Sequence, residues 1–124
     1  MIVYKKQRLL LFLAVVGLIF INAGCSNATF VGYVVDIVEE QQGSYRILVI
    51  RNLTEKELEI KSEEELIKMA QEKNSGSWFS ITRETYDSLH IQKKDRVKVI
   101  YSSKNPVQTS DPLLRGAKEI EILN

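Results

Sequence analysis

The strongest constraint on this chain is a period-two alternation of apolar and polar residues. From Asp95 to Tyr101, Val97, Val99 and Tyr101 fall at every second position with Arg96 and Lys98 between them. Only a strand sends alternate side chains to opposite faces in this way. The rhythm returns at Ser77-Trp78-Phe79-Ser80-Ile81, and again from Ala117 to Leu123, where Ile120 and Ile122 alternate with Glu119 and Glu121. Phe30 to Val38 is rich in β-branched and aromatic residues, with Val31, Tyr33, Val35 and Ile37 assigned to one face and Asp36 to the other. Tyr45 to Arg51 is a second apolar run, joined to the first through the Gly43-containing connection Glu39 to Ser44 as a hairpin. Five strands are predicted, the last at an edge, with Gly32 marking a bulge or tight coil.

Helix signals are fewer. Ser62-Glu63-Glu64-Glu65 has the form of a capping box, Leu66, Ile67, Met69 and Ala70 supply a buried stripe, and Asn74-Ser75-Gly76 supplies the stop. Thr82 to Thr85 caps one or two turns carrying Tyr86 and Leu89. A small, mainly β domain with minor α follows: a five-stranded, partly open barrel of the oligonucleotide/oligosaccharide-binding (OB) type with one inserted helix. It comes after an N-terminal signal helix.

That first segment begins with Lys5, Lys6 and Arg8, continues as thirteen apolar residues from Leu9 to Ile21, and ends at the only cysteine, Cys25. A permanent span needs about 20 residues, whereas a signal core needs about 7 to 15. Ile21-Asn22-Ala23-Gly24-Cys25 resembles the bacterial lipobox, with Asn22 where an aliphatic residue is usual. The resemblance implies cleavage between Gly24 and Cys25 and lipidation of Cys25. The organisation expected is a lipoprotein signal peptide over 1–24, a lipidated cysteine and short tether over 25–29, and the barrel over 30–124. Ser26 to Thr29 reach about 15 Å when extended.

Charge follows the same division. All 16 acidic residues lie after Cys25, and without the three early basic residues the chain has 14 basic against 16 acidic, a net of −2. Nucleic acid binding, which draws on a basic surplus, is therefore not expected. Within the mature part, residues 33–74 carry a net −4 and residues 75–124 a net +2.

Gly32-Tyr33-Val34-Val35, Ile47-Leu48-Val49-Ile50, Trp78-Phe79-Ser80-Ile81, Asp95 to Val99 and Ala117 to Ile122 together resemble the YobA-like family of small Gram-positive lipoproteins, a family of unknown function. The likeness spans Phe30 to Leu123 and implies a fold and an envelope location. These motifs are strand patterns and carry no catalytic signature. The turn before the fourth strand often carries Gly in such proteins, where this chain has Lys94, a residue that does not favour a left-handed turn.

Chemistry is thinly supplied. His90 is the only histidine, and no serine sits in a nucleophile elbow. Zinc sites draw on several Cys or His ligands, and Glu55, Glu57, Glu59 and Glu63 to Glu65 read as a solvated face and a helix cap rather than a calcium loop. No metal or cofactor is expected. Arg83, Lys93, Lys94, Arg96, Lys98 and Lys104 are candidates to gather beside Trp78 and Tyr101 as a ligand or partner surface. The long stretch Ser102 to Arg115, with Leu113 and Leu114 as an apolar grip, is the leading candidate for partner contact. The expected protein is a membrane-anchored, extracytoplasmic, monomeric, non-enzymatic module that binds a peptide, a glycan or an envelope protein. The alternative is an envelope hydrolase or transferase using His90 with a Ser and an Asp partner.

Overall fold

The computed structural model describes residues 27–41, 43–104 and 111–124; the segment expected to be a signal peptide, the expected Gly24–Cys25 cleavage junction and Pro106 lie outside them. Five strands, β1 (Asn27–Glu40), β2 (Ser44–Ile50), β3 (Gly76–Thr82), β4 (Arg96–Ser102) and β5 (Leu113–Ile122), are accompanied by helices α1 (Glu55–Ile60), α2 (Glu63–Lys73) and α3 (Arg83–Leu89). The strands close into a barrel in the order β1-β2-β3-β5-β4. β4 returns to pair with the first half of β1, from Asn27↔Ser102 to Tyr33↔Arg96. β3 and β5 are parallel over Ser77 to Ser80, and every other pair is antiparallel. This is the expected mainly β barrel of OB type, with closure complete rather than partial. β5 lies between β3 and β4 and not at an edge, and it starts at Leu113, four residues before the alternation becomes visible.

The barrel interior is filled by Phe30, Val34, Tyr45, Ile47, Val49, Phe79, Ile81, Val97 and Val99. A second cluster lies outside the wall, where Val35, Leu48 and Ile50 meet Leu58 of α1 and Leu66 and Ala70 of α2. β2 is thus buried on both faces, and Ile47 to Ile50 reads as continuous hydrophobe because alternate residues serve the two cores. In β1, a bulge between Val34 and Asp36 changes the phase. Val34 and Ile37 both pack on the inner core, while Val35 packs on the outer one. The single face assigned to Val31, Tyr33, Val35 and Ile37 is therefore split, since one extra residue on a strand reverses the side chains beyond it.

Two helices, not one, are inserted between β2 and β3. Thr54 caps α1 with a complete capping box: its hydroxyl accepts from Glu57 N at 3.1 Å, and Glu57 Oε1 accepts from Thr54 N at 3.1 Å. These bonds hold the exposed Glu57 carboxyl below its ordinary pKa. Ser62 caps α2 as expected, accepting from Glu65 N at 3.2 Å, and Asn74 ends it in the left-handed conformation. α3 closes one end of the barrel, with Tyr86 stacked on Tyr45 at 3.9 Å between centroids. Lys94 adopts the left-handed turn despite its side chain, at φ 76°. The turn is held at β1, where Lys94 N donates to Val34 O (2.7 Å) and Val34 N donates to Asp95 O (2.8 Å). Among the described residues no helix is long and apolar enough to cross a membrane.

Candidate functional site

OB barrels commonly engage ligands across the outer face of strands 2 and 3 with the flanking loops. Here the upper part of that face is roofed by α1 and α2, which bury Leu48 and Ile50 completely. Below the roof remain Arg46 on β2, Trp78 and Ser80 on β3, and the exposed Gly116 on β5, adjacent through the pairs Arg46↔Ser80 and Ser80↔Gly116. Trp78 packs one side against the outer cluster and is half-buried. The Arg46 guanidinium lies 5.7 Å from the Trp78 ring centroid, and its Nε lies 2.7 Å from Glu40 Oε1. The ion pair orients the guanidinium, and the ring gains a cation–π contact. The strip presents an aromatic edge, a fixed cation, a carboxylate and a hydroxyl, a set suited to a polar ring or an extended polar chain.

The sequence candidates do not assemble into one surface. Tyr101 points inward, 5.6 Å from Phe79 with Arg115 stacked on it at 4.5 Å, so Trp78 and Tyr101 occupy opposite faces of the wall. Arg96 and Lys98 point outward on β4, and Lys98 sits between Val31 and Glu121. Arg83 is 3.5 Å from Glu39, near the hairpin. Lys104 is exposed just past β4. Leu113 and Leu114 are not a free apolar grip: both belong to β5, Leu114 is only 8% exposed, and Leu113 O accepts from Ser77 Oγ at 3.1 Å.

Lys93 belongs to a cluster with no visible sequence signature. Its ammonium lies 3.1 Å from Glu63 Oε2 at the start of α2 and 3.7 Å from Asp36 Oδ1 on β1. Partial burial, followed by the adjacent Glu63 carboxyl, pushes Asp36 above its ordinary pKa; Glu63 foremost, then Asp36, holds Lys93 above its own. Beside them is a cleft of about 170 Å³ floored by Val34, Val35, Leu58 and Leu66. The one available hint is Asp36 itself, a charge inside an apolar strand. The cluster ties α2 to β1 and to the turn before β4.

His90 is exposed at the C-cap of α3 in the left-handed conformation, φ 52°. Its side chain makes no hydrogen bond to a serine or a carboxylate among the described residues, so the Ser/His/Asp arrangement required by the hydrolase alternative is not formed there. Among the same residues no group of three or more His, Cys, Asp or Glu is disposed to hold a metal ion.

The fold and these surfaces define a small OB-type barrel domain with a helical roof. Residues 31–124 match the family described as protein of unknown function (DUF3221), and the chain belongs to that family. The family-level resemblance read from the strand motifs agrees with this membership. No curated protein matches the chain. It is similar to the NMR solution structure of residues 21–120 of Bacillus subtilis YobA, at 19% identity over 77% of this chain and 81% of that one, with a TM-score of 0.48. It is also similar to the dimeric N-terminal domain of PriB from Thermoanaerobacter tencongensis, at 14% identity over 80% of this chain and 97% of that one, with a TM-score of 0.44.

Proposed function

We propose that this protein is a non-enzymatic binding module, lipid-anchored at Cys25 on the extracytoplasmic face of the cell membrane, whose ligand surface is the strip around Trp78 and Arg46. The observation that carries the reading is where β1 begins. Asn27 is already part of β1, so at most Ser26 separates the cysteine of the lipobox-like segment from a closed barrel. The tether expected over residues 25–29 is thus mostly strand, a spacing that serves a domain held at a surface.

The anchor is tested by metabolic labelling with a fatty-acid analogue in wild type and Cys25→Ala. Label in the wild type alone supports the reading, and equal label in both overturns it. The ligand surface is tested through Trp78, the only tryptophan. Soluble cell-wall glycan and peptide fragments are expected to shift its emission in wild type, with the shift lost in Arg46→Ala. Emission unchanged by every fragment overturns the assignment of that strip.

A further inference from the structure

The barrel has two unlike ends. One is closed by α3 and carries Glu39, Glu40, Glu84 and Asp87, against Arg46 and Arg83. The other end is where β1 begins. There the side chain of Asn27 accepts a hydrogen bond from Lys118 Nζ at 2.7 Å, and its backbone pairs with Ser102 at the end of β4. Lys104 follows two residues later. Arg115 lies over Tyr101, the cross-strand partner of Ala28, and Arg51 lies 5.4 Å over the ring of Phe30. Arg51, Lys104, Arg115 and Lys118 therefore gather about the point where the chain runs back toward Cys25, and outnumber the carboxylates of Asp111 and of Glu119, which follows Lys118 and pairs with Ile100 beside Thr29. The mild sequence-level polarity of charge becomes an axial one, acidic at the helix-capped end and basic at the tethered end.

The tether length decides what this polarity does. Cys25 and Ser26 span about 7 Å when extended. Charges act in solution over about 10 Å at 0.1 M salt. The basic residues beside Asn27 thus fall within electrostatic range of whatever surface holds the cysteine. We infer that the end of the barrel formed by Arg51, Lys104, Arg115 and Lys118 lies against anionic phospholipid headgroups of the outer leaflet. This contact stands the barrel on end and turns α3 and the Trp78 strip away from the bilayer. The inference rests on the lipid anchor proposed above. The chemistry is that of juxtamembrane basic residues at an anionic leaflet, where each contributes about fivefold in local partitioning, equivalent to about 1 kcal/mol.

The test uses the full mature chain with its anchor, reconstituted in vesicles of phosphatidylcholine alone or with one-third phosphatidylglycerol. A membrane-impermeant amine reagent and mass spectrometry read each lysine. Labelling of Lys104 and Lys118 is expected to slow by about fivefold or more on the phosphatidylglycerol vesicles and to recover in about 1 M salt, where the screening length falls to about 3 Å. Lys56 and Lys68 on the helical roof are expected to label equally on both. Equal rates for Lys104 and Lys118 on the two vesicles, or preferential protection of Lys56 and Lys68, overturn the orientation while leaving the anchor intact. A chain that fails to float with phosphatidylcholine vesicles, with Cys25 bare by mass, identifies failure of the anchor instead, and the orientation falls with it.

Discussion

Replacing Gly32 by alanine probes the tightest crossing in the barrel. A Cβ at this position would sit 2.4 Å from Ile50 O, 2.7 Å from Ile50 C and 3.0 Å from Arg51 N. These are backbone atoms, so no rotamer change relieves the contact. Ile50 is fully buried and is held by Tyr33 on one side and Gly76 on the other, so moving it disturbs two ladders. Overpacking costs about 1–3 kcal/mol, occasionally more, and a contact about 1 Å too short against fixed backbone belongs at the upper end. A domain of this size has about 5–15 kcal/mol in total, and each kcal/mol moves Tm by about 4–8 °C. Gly32→Ala is therefore expected to lose about 3 kcal/mol and about 15 °C, read by thermal and urea unfolding through Trp78 fluorescence. Two internal controls sharpen the result. Gly43 has φ 73° with no other atom within 4 Å of an added Cβ, so alanine there meets only the left-handed penalty of about 1–2 kcal/mol. Gly76 meets first the Ala70 Cβ at 3.1 Å, a side-chain atom on the roof. A Gly32→Ala protein within about 0.5 kcal/mol of wild type, or one less affected than Gly43→Ala, would refute the steric reasoning.

Three other outcomes follow from the local chemistry. Thr54→Ala removes the capping box of α1 and is expected to lower stability by about 1 kcal/mol, measured as a shift in urea midpoint. The Glu57 carboxyl, held low by that cap, stabilises the fold above its unfolded value of 4.5 and loses this as pH falls through the folded value, so the variant should show a shallower acid-side decline. Asp36 has the opposite sign. Its raised pKa means that the fold holds the proton more tightly, so its contribution is present below the unfolded value of 3.8 and declines as pH rises through the folded value. Asp36→Asn should accordingly gain stability relative to wild type between pH 3 and pH 7 in Tm scans, and an unchanged difference across that range counts against the cluster. Arg46→Ala frees the Trp78 ring and the Glu40 carboxylate; its emission should move to longer wavelength with a stability change under about 1 kcal/mol, and an unmoved spectrum would show that the stack is not populated.

Legibility in the sequence tracked how many faces of an element meet water. β4 alternates visibly because Arg96 and Lys98 are outside while Val97 and Val99 are inside, and its extent is nearly the one expected. β1 was harder, since Val34 and Val35 serve different cores and a bulge between two apolar residues leaves no compositional mark. α1 carried a readable signal, Thr54 with Glu57 three residues on, but Glu55, Glu57 and Glu59 also fit a period of two, and a six-residue helix offers little periodicity to decide it. The start of β5 depends on parallel pairing with β3, a non-local fact, and a register shift beside Tyr101 breaks its alternation near Lys118. For the surfaces, Trp78 and Tyr101 were identifiable as residue types, but their placement on opposite faces follows from register alone. The Asp36–Glu63–Lys93 cluster joins three separate elements, and its one local trace is Asp36, a charge inside an apolar strand.

The position of β5 has a temporal consequence. The ring of hydrogen bonds between β3 and β4 is completed by β5, which follows both of them in the chain. Until then β3 and β4 each lack a neighbour, and the nascent polypeptide has no shorter route to a sealed cylinder. A chain cut short before Leu113 would therefore keep two open strand edges, each able to pair with a neighbouring molecule.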